Sequence, residues 1–171
     1  GIKLFAEKKR DRFLKAHELP RFWEALQAEH DQDFKDYVLL SLLAGARSGN
    51  NLAMRYEDID FQAAEWRVPG EQSKNGEQLV VVLVPEAMEI LARRRSESQS
   101  PWVFPAKRLA VAGSGKELGH RSGFRKPWVA FRQRAGIADV NIHDLRRSLG
   151  SWQARTGASL LIIGKSLGHK S

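Results

Sequence analysis

The sequence contains no cysteine, which excludes disulfides, thiol catalysis and every zinc site that needs a thiolate, and agrees with a reducing compartment. No run approaches the ~18 apolar residues of a membrane span. The opening Gly1-Ile2-Lys3-Leu4-Phe5-Ala6-Glu7-Lys8-Lys9-Arg10 lacks the apolar middle of a signal peptide. A soluble, cytoplasmic protein is expected. No repeat period or low-complexity tract is present, and 42% hydrophobic residues suffice for one core-bearing domain over 171 residues. Acidic side chains are scarce in one part only: residues 1–99 hold 15 basic and 17 acidic groups, whereas residues 100–171 hold 13 and 3. The net charge of +8 therefore comes from the C-terminal part. A field of one sign concentrates polyanions, and nucleic acid is the usual one. No stretch joins a basic face to exposed bulky apolar residues, which argues against a membrane partner.

The apolar residues fall into helical and strand patterns. Phe22, Trp23 and Leu26 behind Pro20 predict a helix over 20–28. Phe34, Tyr37, Val38, Leu40, Leu42 and Leu43 cover too many faces for a surface helix and predict a central one that ends at Gly45. A short helix is expected from Ser48 to Met54, then a polar turn at Glu57-Asp58-Ile59-Asp60. Trp66-Arg67-Val68 and the run from Leu79 to Val84 predict an antiparallel pair around Ser73-Lys74-Asn75-Gly76, whose Asn-Gly pair is favoured in hairpin turns. Pro85 opens a helix through Arg93-Arg94-Arg95, followed by a connection over 96–105 and a mobile loop at Ala112-Gly113-Ser114-Gly115. Two further helices are expected to end near Gly136 and Gly157, with a last one from Ser159. Trp23, Trp66, Trp102, Trp128 and Trp152 are read as packing residues. The fold class is α+β, mainly helical with a small antiparallel sheet.

Several polar residues stand out on this scaffold. His143 and Arg146 are three apart and share a helix face, while Leu145 and Leu149 turn toward the core. Arg47 follows the central helix within Gly45-Ala46-Arg47-Ser48-Gly49, where glycines let backbone approach a ligand closely. Lys74 occupies the hairpin tip and His169 lies near the last residue. Singly, each has an ordinary explanation: an arginine at a helix end, a solubilising lysine, a packed histidine. Together, two guanidiniums, two imidazoles and an ammonium suit a phosphodiester, with forked donors for its nonbridging oxygens and proton carriers for the leaving oxygen. Lys107, Arg108, Arg121, Arg125, Lys126, Arg132 and Arg134 read as a surface for the DNA backbone, a role that positions DNA without reading it.

At these residues the sequence resembles the tyrosine recombinases, or phage integrases. Gly45-Ala46-Arg47-Ser48-Gly49 through Asp60 is similar to the family's first arginine box, and Ser73-Lys74-Asn75-Gly76 to its lysine hairpin. His143-Asp144-Leu145-Arg146-Arg147 is similar to its His-x-x-Arg box, and Leu167-Gly168-His169 to its last histidine box. The resemblance runs from about Lys9 to the last residue and is strongest to integrases of bacterial prophages and genomic islands. It implies the DNA breaking-rejoining enzyme fold, and site-specific recombination through a 3′-phosphotyrosyl intermediate, without metal or other cofactor. Arg47 and Arg146 are implied to grip the nonbridging oxygens, Lys74 to protonate the leaving 5′ oxygen, His143 to assist proton transfer at the nucleophile, and His169 to donate to a phosphate oxygen. The implied partners are duplex DNA carrying att-type sites and other integrase protomers as a tetramer on it, within the bacterial cytoplasm and its nucleoid.

Two departures from the family's pattern matter. Its nucleophilic tyrosine lies shortly beyond the last histidine box, and no tyrosine follows His169 here; Tyr37 and Tyr56, the only two, are read as packing residues. The expectation is a catalytic domain over 1–171 without the preceding DNA-clamping domain or the tyrosine segment, able to bind DNA but not to cleave it. The second departure is Asn50, where the family commonly carries glutamate; an amide there orients cationic neighbours without charge. A metal-dependent nuclease built on Glu57, Asp58 and Asp60 is the competing enzyme reading, disfavoured because neighbours on one turn rarely face one ion. The non-enzymatic alternative is a DNA-binding regulator or accessory factor on the same scaffold.

Overall fold

The computed structural model describes residues 12–73, 75–107, 119–146 and 148. The expected loop at 112–115, the helical continuation to Gly157, the last helix from Ser159 and the packing role of Trp152 lie outside the described residues. Helix α1 (Leu19–Gln27) carries Pro20 in its first turn and buries Leu19, Phe22, Trp23 and Leu26. Helix α2 (Gln32–Ala44) begins where the Asp31 carboxylate accepts the Phe34 N–H at 3.2 Å. It stops at Gly45, whose φ of 62° is left-handed and costs glycine nothing in Cβ clash. Phe34, Val38 and Leu40 are completely buried, so α2 is the central helix its many-sided apolar pattern predicts.

The short helix α3 (Ser48–Leu52) leads into a three-stranded antiparallel sheet of β1 (Ile59–Asp60), β2 (Glu65–Val68) and β3 (Leu79–Val82), in that spatial order. Glu65 pairs with Val82 and Val68 with Leu79. Alternation sends Trp66 and Val68 into the core. On the edge strand β3 the apolar side chains of Leu79, Val80 and Val82 remain 46, 50 and 73% exposed. The β2–β3 connection spans 69–78 and opens with a 3-10 turn at Gly70–Gln72, so the Asn-Gly pair closes a wide loop rather than a two-residue turn. Gly76 supplies the left-handed residue, with φ 73°. At Gly70 the loop folds back so closely that a Cβ would lie 2.5 Å from the Gly76 carbonyl oxygen.

Helix α4 (Pro85–Glu97) starts at its proline and extends two residues into the segment expected as a connection. Its Arg94 is a core residue: Nη1 donates to Asp36 Oδ2 at 2.8 Å and Asp33 Oδ1 at 2.9 Å, while Nε and Nη2 donate to the Val103 carbonyl. Arg93 adds a second bond to Asp36. Burial works against the Arg94 charge, and the bonds to Asp36 and Asp33 more than offset it, so its pKa is raised. Helix α5 (Arg125–Arg134) buries Trp128 and Phe131. Phe34 lies between Phe131 and Phe124, ring centroids 5.6 and 5.9 Å away, and Tyr37 stacks on Phe124 at 4.7 Å. These contacts bind α2 and α5 into one core, each pair contributing about 0.5–1.5 kcal/mol beyond its buried area. Trp102 packs outside the main core: it is half-buried between the Arg55 guanidinium, 4.1 Å from its ring, and His120, 5.2 Å away. Among the described residues no helix is long and apolar enough to cross a membrane. The expected α+β class, mainly helical with a small sheet, is the architecture found.

Candidate functional site

The left-handed turn at Gly45 reverses the chain so that Ala46 is buried and Arg47, capping α3 in extended conformation, is exposed. The fully buried Asn51 braces this turn, its amide reaching the Ala46 carbonyl at 3.5 Å. The second arginine comes from a helical turn over 142–146. Its start is closed reciprocally: the Asp144 N–H donates to the Asn141 carbonyl at 2.9 Å, and the Asn141 N–H donates to Asp144 Oδ2 at 2.8 Å. Asp144 and Leu145 are buried, so helical periodicity leaves His143 and Arg146 exposed on the opposite side.

These two constructions meet. Arg47, His143 and Arg146 line one cavity of about 510 Å³, together with Ser41, Ala46, Ser48 and Ile142 and with no carboxylate among the described residues. Both arginines also border a neighbouring cavity of about 360 Å³ with Asn50 and with Ser73, Asn75 and Glu77 of the β2–β3 loop. The residues on either side of position 74 thus face the arginine pair, while Lys74 itself lies outside the described residues, as do His169 and Arg108. His143 and Ser48 open as well onto a cavity of about 460 Å³ that holds Tyr37, Arg125 and Arg132. The Ser48 hydroxyl is 3.4 Å from His143 Nδ1. Two neutral polar residues that the sequence reading passed over, Ser48 and Asn51, therefore support the candidate residues.

The proposed DNA-contact residues divide. Arg121, Arg125 and Lys126 surround one shallow depression with Ser122, Gly123 and Pro127. Arg125 and Lys126 form the first turn of α5. Arg121 donates to the Gly123 carbonyl at 3.2 Å and lies 3.8 Å over the Phe124 ring. Arg132 reaches toward the Val140 carbonyl and Asn141 Oδ1, both at 3.4 Å. Arg125 and Arg132 thus extend a basic face continuous with His143. Lys107 is exposed but borders none of these cavities, and Arg134 is tied to Glu29 instead. The acidic turn is used internally: Glu57 pairs with Arg55 at 2.9 Å, and Asp60 Oδ1 accepts the Gln62 and Ala63 N–H groups. Among the described residues no group of three or more His, Asp or Glu is arranged to hold a metal ion.

Two guanidiniums and an imidazole around one cavity, with no carboxylate among the described residues that line it, form an anion site of the kind a phosphodiester fits. The chain is 28% identical over 167 residues to the integrase of Salmonella phage P22, covering 95% of this chain and 42% of that integrase. It is 25% identical over 166 residues to the prophage integrase IntF of Escherichia coli K12, covering 95% of this chain and 34% of IntF. The fold matches that of a lambda integrase dimer bound to a COC′ core site, with a TM-score of 0.56 at 18% identity over 99% of this chain and 62% of that one. The chain thus spans less than half the length of these two relatives. The phage integrase family model matches residues 12–171 without leaving out any element described above, and the chain belongs to that family.

Proposed function

We propose that the chain is the catalytic domain of a tyrosine site-specific recombinase, which integrates or excises mobile DNA by cutting and rejoining strands through a 3′-phosphotyrosyl intermediate. The observation that carries this reading is the convergence of Arg47, His143 and Arg146, from two chain regions nearly a hundred positions apart, on one cavity with no carboxylate among the described residues. In the transition state, negative charge grows on the nonbridging oxygens of the phosphate. Forked guanidinium donors fixed in advance stabilise that charge without reorganisation. Arg47 and Arg146 fill this role, and removing either is expected to slow cleavage by about 10²–10³-fold. His143 lines the same cavity and exchanges a proton with the nucleophile. Lys74, from the loop whose flanking residues border the arginine pair, protonates the leaving 5′ oxygen, and His169 donates to a phosphate oxygen.

With this donor set, the chemistry needs no metal. A regulator that merely grips DNA has no need of an imidazole in the same cavity as two guanidiniums, which favours the enzyme over the accessory factor. Neither tyrosine of the chain is available as nucleophile: burial pushes the Tyr37 hydroxyl up to about 12, and burial raises Tyr56 as well. Residues 1–171 alone therefore bind DNA without cleaving it. Arg121, Arg125, Lys126 and Arg132 hold the phosphate backbone beside the cavity. Duplex DNA with att-type sites, further protomers assembled as a tetramer and the bacterial cytoplasm complete the reading.

The test is covalent capture. A protein spanning this domain and a downstream tyrosine is incubated with nicked suicide DNA in chelator, and protein–DNA adducts are resolved under denaturing conditions. An adduct that forms in chelator and disappears in R47A and R146A is expected. A strict magnesium requirement, or an adduct untouched by both substitutions, overturns the reading.

A further inference from the structure

We propose that Ser73 is a positioning residue: its hydroxyl fastens the two arms of the β2–β3 loop to each other and so fixes the backbone from which the residue at position 74 reaches toward Arg47 and Arg146. The inference rests on the recombinase reading, which gives Lys74 its task, whereas the fastening itself is geometry. The Ser73 hydroxyl donates to the Glu77 carbonyl at 2.5 Å, and lies 3.1 Å from the Gly70 carbonyl and 3.3 Å from Asn75 Oδ1. A hydroxyl has one proton, and the shortest of these contacts closes residues 73–77 into a ring. The main chain takes the same path. The Ser73 N–H donates to the Gly70 carbonyl at 3.1 Å and the Gly76 N–H to the Ser73 carbonyl at 3.3 Å. Ser73 thus stands where the loop crosses itself, bonded backward to Gly70 and forward to Gly76 and Glu77. Gly70 and the Gly76 carbonyl touch at the same crossing, which leaves no room there for a Cβ.

The direction in which this ring faces gives it a use. Ser73, Asn75 and Glu77 border the cavity that also holds Arg47, Arg146 and Asn50, so the neighbours of position 74 look onto the arginine pair. A lysine carries its charge on a flexible four-carbon stem, and the backbone at its root is what limits where the ammonium goes. In the cleavage step the nucleophile's oxygen bonds phosphorus. The bond from phosphorus to the 5′ oxygen breaks with its electron pair on that oxygen, and the Lys74 ammonium protonates it. Arg47 and Arg146 stand on other elements, at the start of α3 and in the turn over 142–146. Loss of the Ser73 hydroxyl therefore leaves the phosphate grip in place and loosens the proton donor, which lowers the rate through misplacement of one group.

The test separates proton donation from the rest of the reaction. The protein that spans this domain and a downstream tyrosine is given two suicide duplexes, one ordinary and one with sulfur in place of the bridging 5′ oxygen. Covalent adduct is followed in a single turnover. A thiol is far more acidic than an alcohol, so its anion leaves without a proton, and a variant impaired only in proton donation recovers on sulfur. S73A is expected to react about 10-fold more slowly than the unaltered protein on the ordinary duplex, part of the roughly 10²–10⁴-fold that proton donation contributes as a whole. On sulfur the two should react equally. K74A should be slow on oxygen and recover on sulfur, and R47A should be slow on both. The extended backbone at Ser73, φ −95° and ψ 149°, suits a β-branched residue. S73T, which keeps the hydroxyl, should match the unaltered protein, and S73V, of the same shape without it, should behave as S73A. Should S73A fail to fold, the threonine and valine variants decide the matter. S73A and S73V proteins as slow on sulfur as on oxygen, or as fast as the unaltered protein on both, overturn the proposal, as does a K74A protein that stays slow on sulfur. If the unaltered protein forms no adduct on either duplex, the recombinase reading falls and takes this inference with it; if adducts form and K74A recovers while S73A and S73V do not, this inference alone falls.

Discussion

The backbone N–H of Leu14 donates to the hydroxyl of Ser148 at 2.7 Å across 134 positions of sequence. Ser148 in turn donates to the Asp144 carbonyl at 2.8 Å, so the first described residues hold the helical turn that bears His143 and Arg146. Replacing the hydroxyl in S148A removes this link at a cost of about 1 kcal/mol. Denaturant unfolding measures the loss, and amide exchange of Leu14 should quicken relative to the centre of α2.

Asp36 is buried against Arg94 and Arg93, whereas the second carboxylate on Arg94, Asp33, is 41% exposed. D36A leaves a buried guanidinium short of its main partner and is expected to cost about 3–5 kcal/mol. D33A touches a solvated partner and should cost about 1 kcal/mol or less. Similar unfolding midpoints for the two variants would contradict this division of the network.

Gly70 admits no side chain without moving the Gly76 carbonyl, since a Cβ would meet that oxygen at 2.5 Å. G70A is therefore expected to open the β2–β3 loop and cost about 1–3 kcal/mol. Limited proteolysis within 73–78 should accelerate in G70A. G123A, where a Cβ meets nothing within 4 Å, is the control and should behave as the unaltered chain.

The Arg12 guanidinium, bonded to Glu18 and also to Asp139, holds the Glu18 carboxyl below the usual glutamate value of 4.5. Because the folded state prefers the carboxylate, its stabilisation is complete above about pH 4.5 and is lost as pH falls through the lowered folded value. Thermal melts between pH 7 and pH 3 should reveal this decline. E18Q should be less stable near neutrality and should lose part of the acid dependence.

Arg125 and Lys126, at the start of α5, are expected to contact phosphates without reading bases. Each substitution to alanine should lower the slope of log affinity against log salt by about 0.9 and weaken unrelated duplexes equally. Fluorescence anisotropy over a salt series measures both effects.

Much of this molecule is legible in its residues. The many-sided apolar run of α2 and its terminating Gly45 dictate a central helix, and the spacing of His143 and Arg146 dictates a shared face. What spacing does not carry is pairing across the chain. Nothing near Ser48 in sequence announces His143, because their meeting depends on how α3 packs beside the turn over 142–146. Nothing within Arg93-Arg94-Arg95 sets its middle residue apart, yet Arg94 is buried because Asp33 and Asp36 of α2 face it. Asn141 and Asp144, three apart before Leu145, did hold a local capping signal that marks where the His-x-x-Arg turn begins. The width of the β2–β3 loop was hidden by Asn75-Gly76, which is common to short and long connections.

The uncovered valines of β3 bear on handling the purified domain. Among the described residues no strand pairs with the outer edge of β3, and this edge, with Val80 and Val82 turned to water, offers backbone hydrogen bonds and apolar side chains to any second chain that meets it. Concentrated stocks will cloud on standing, and one lysine in place of Val82 should lengthen their shelf life.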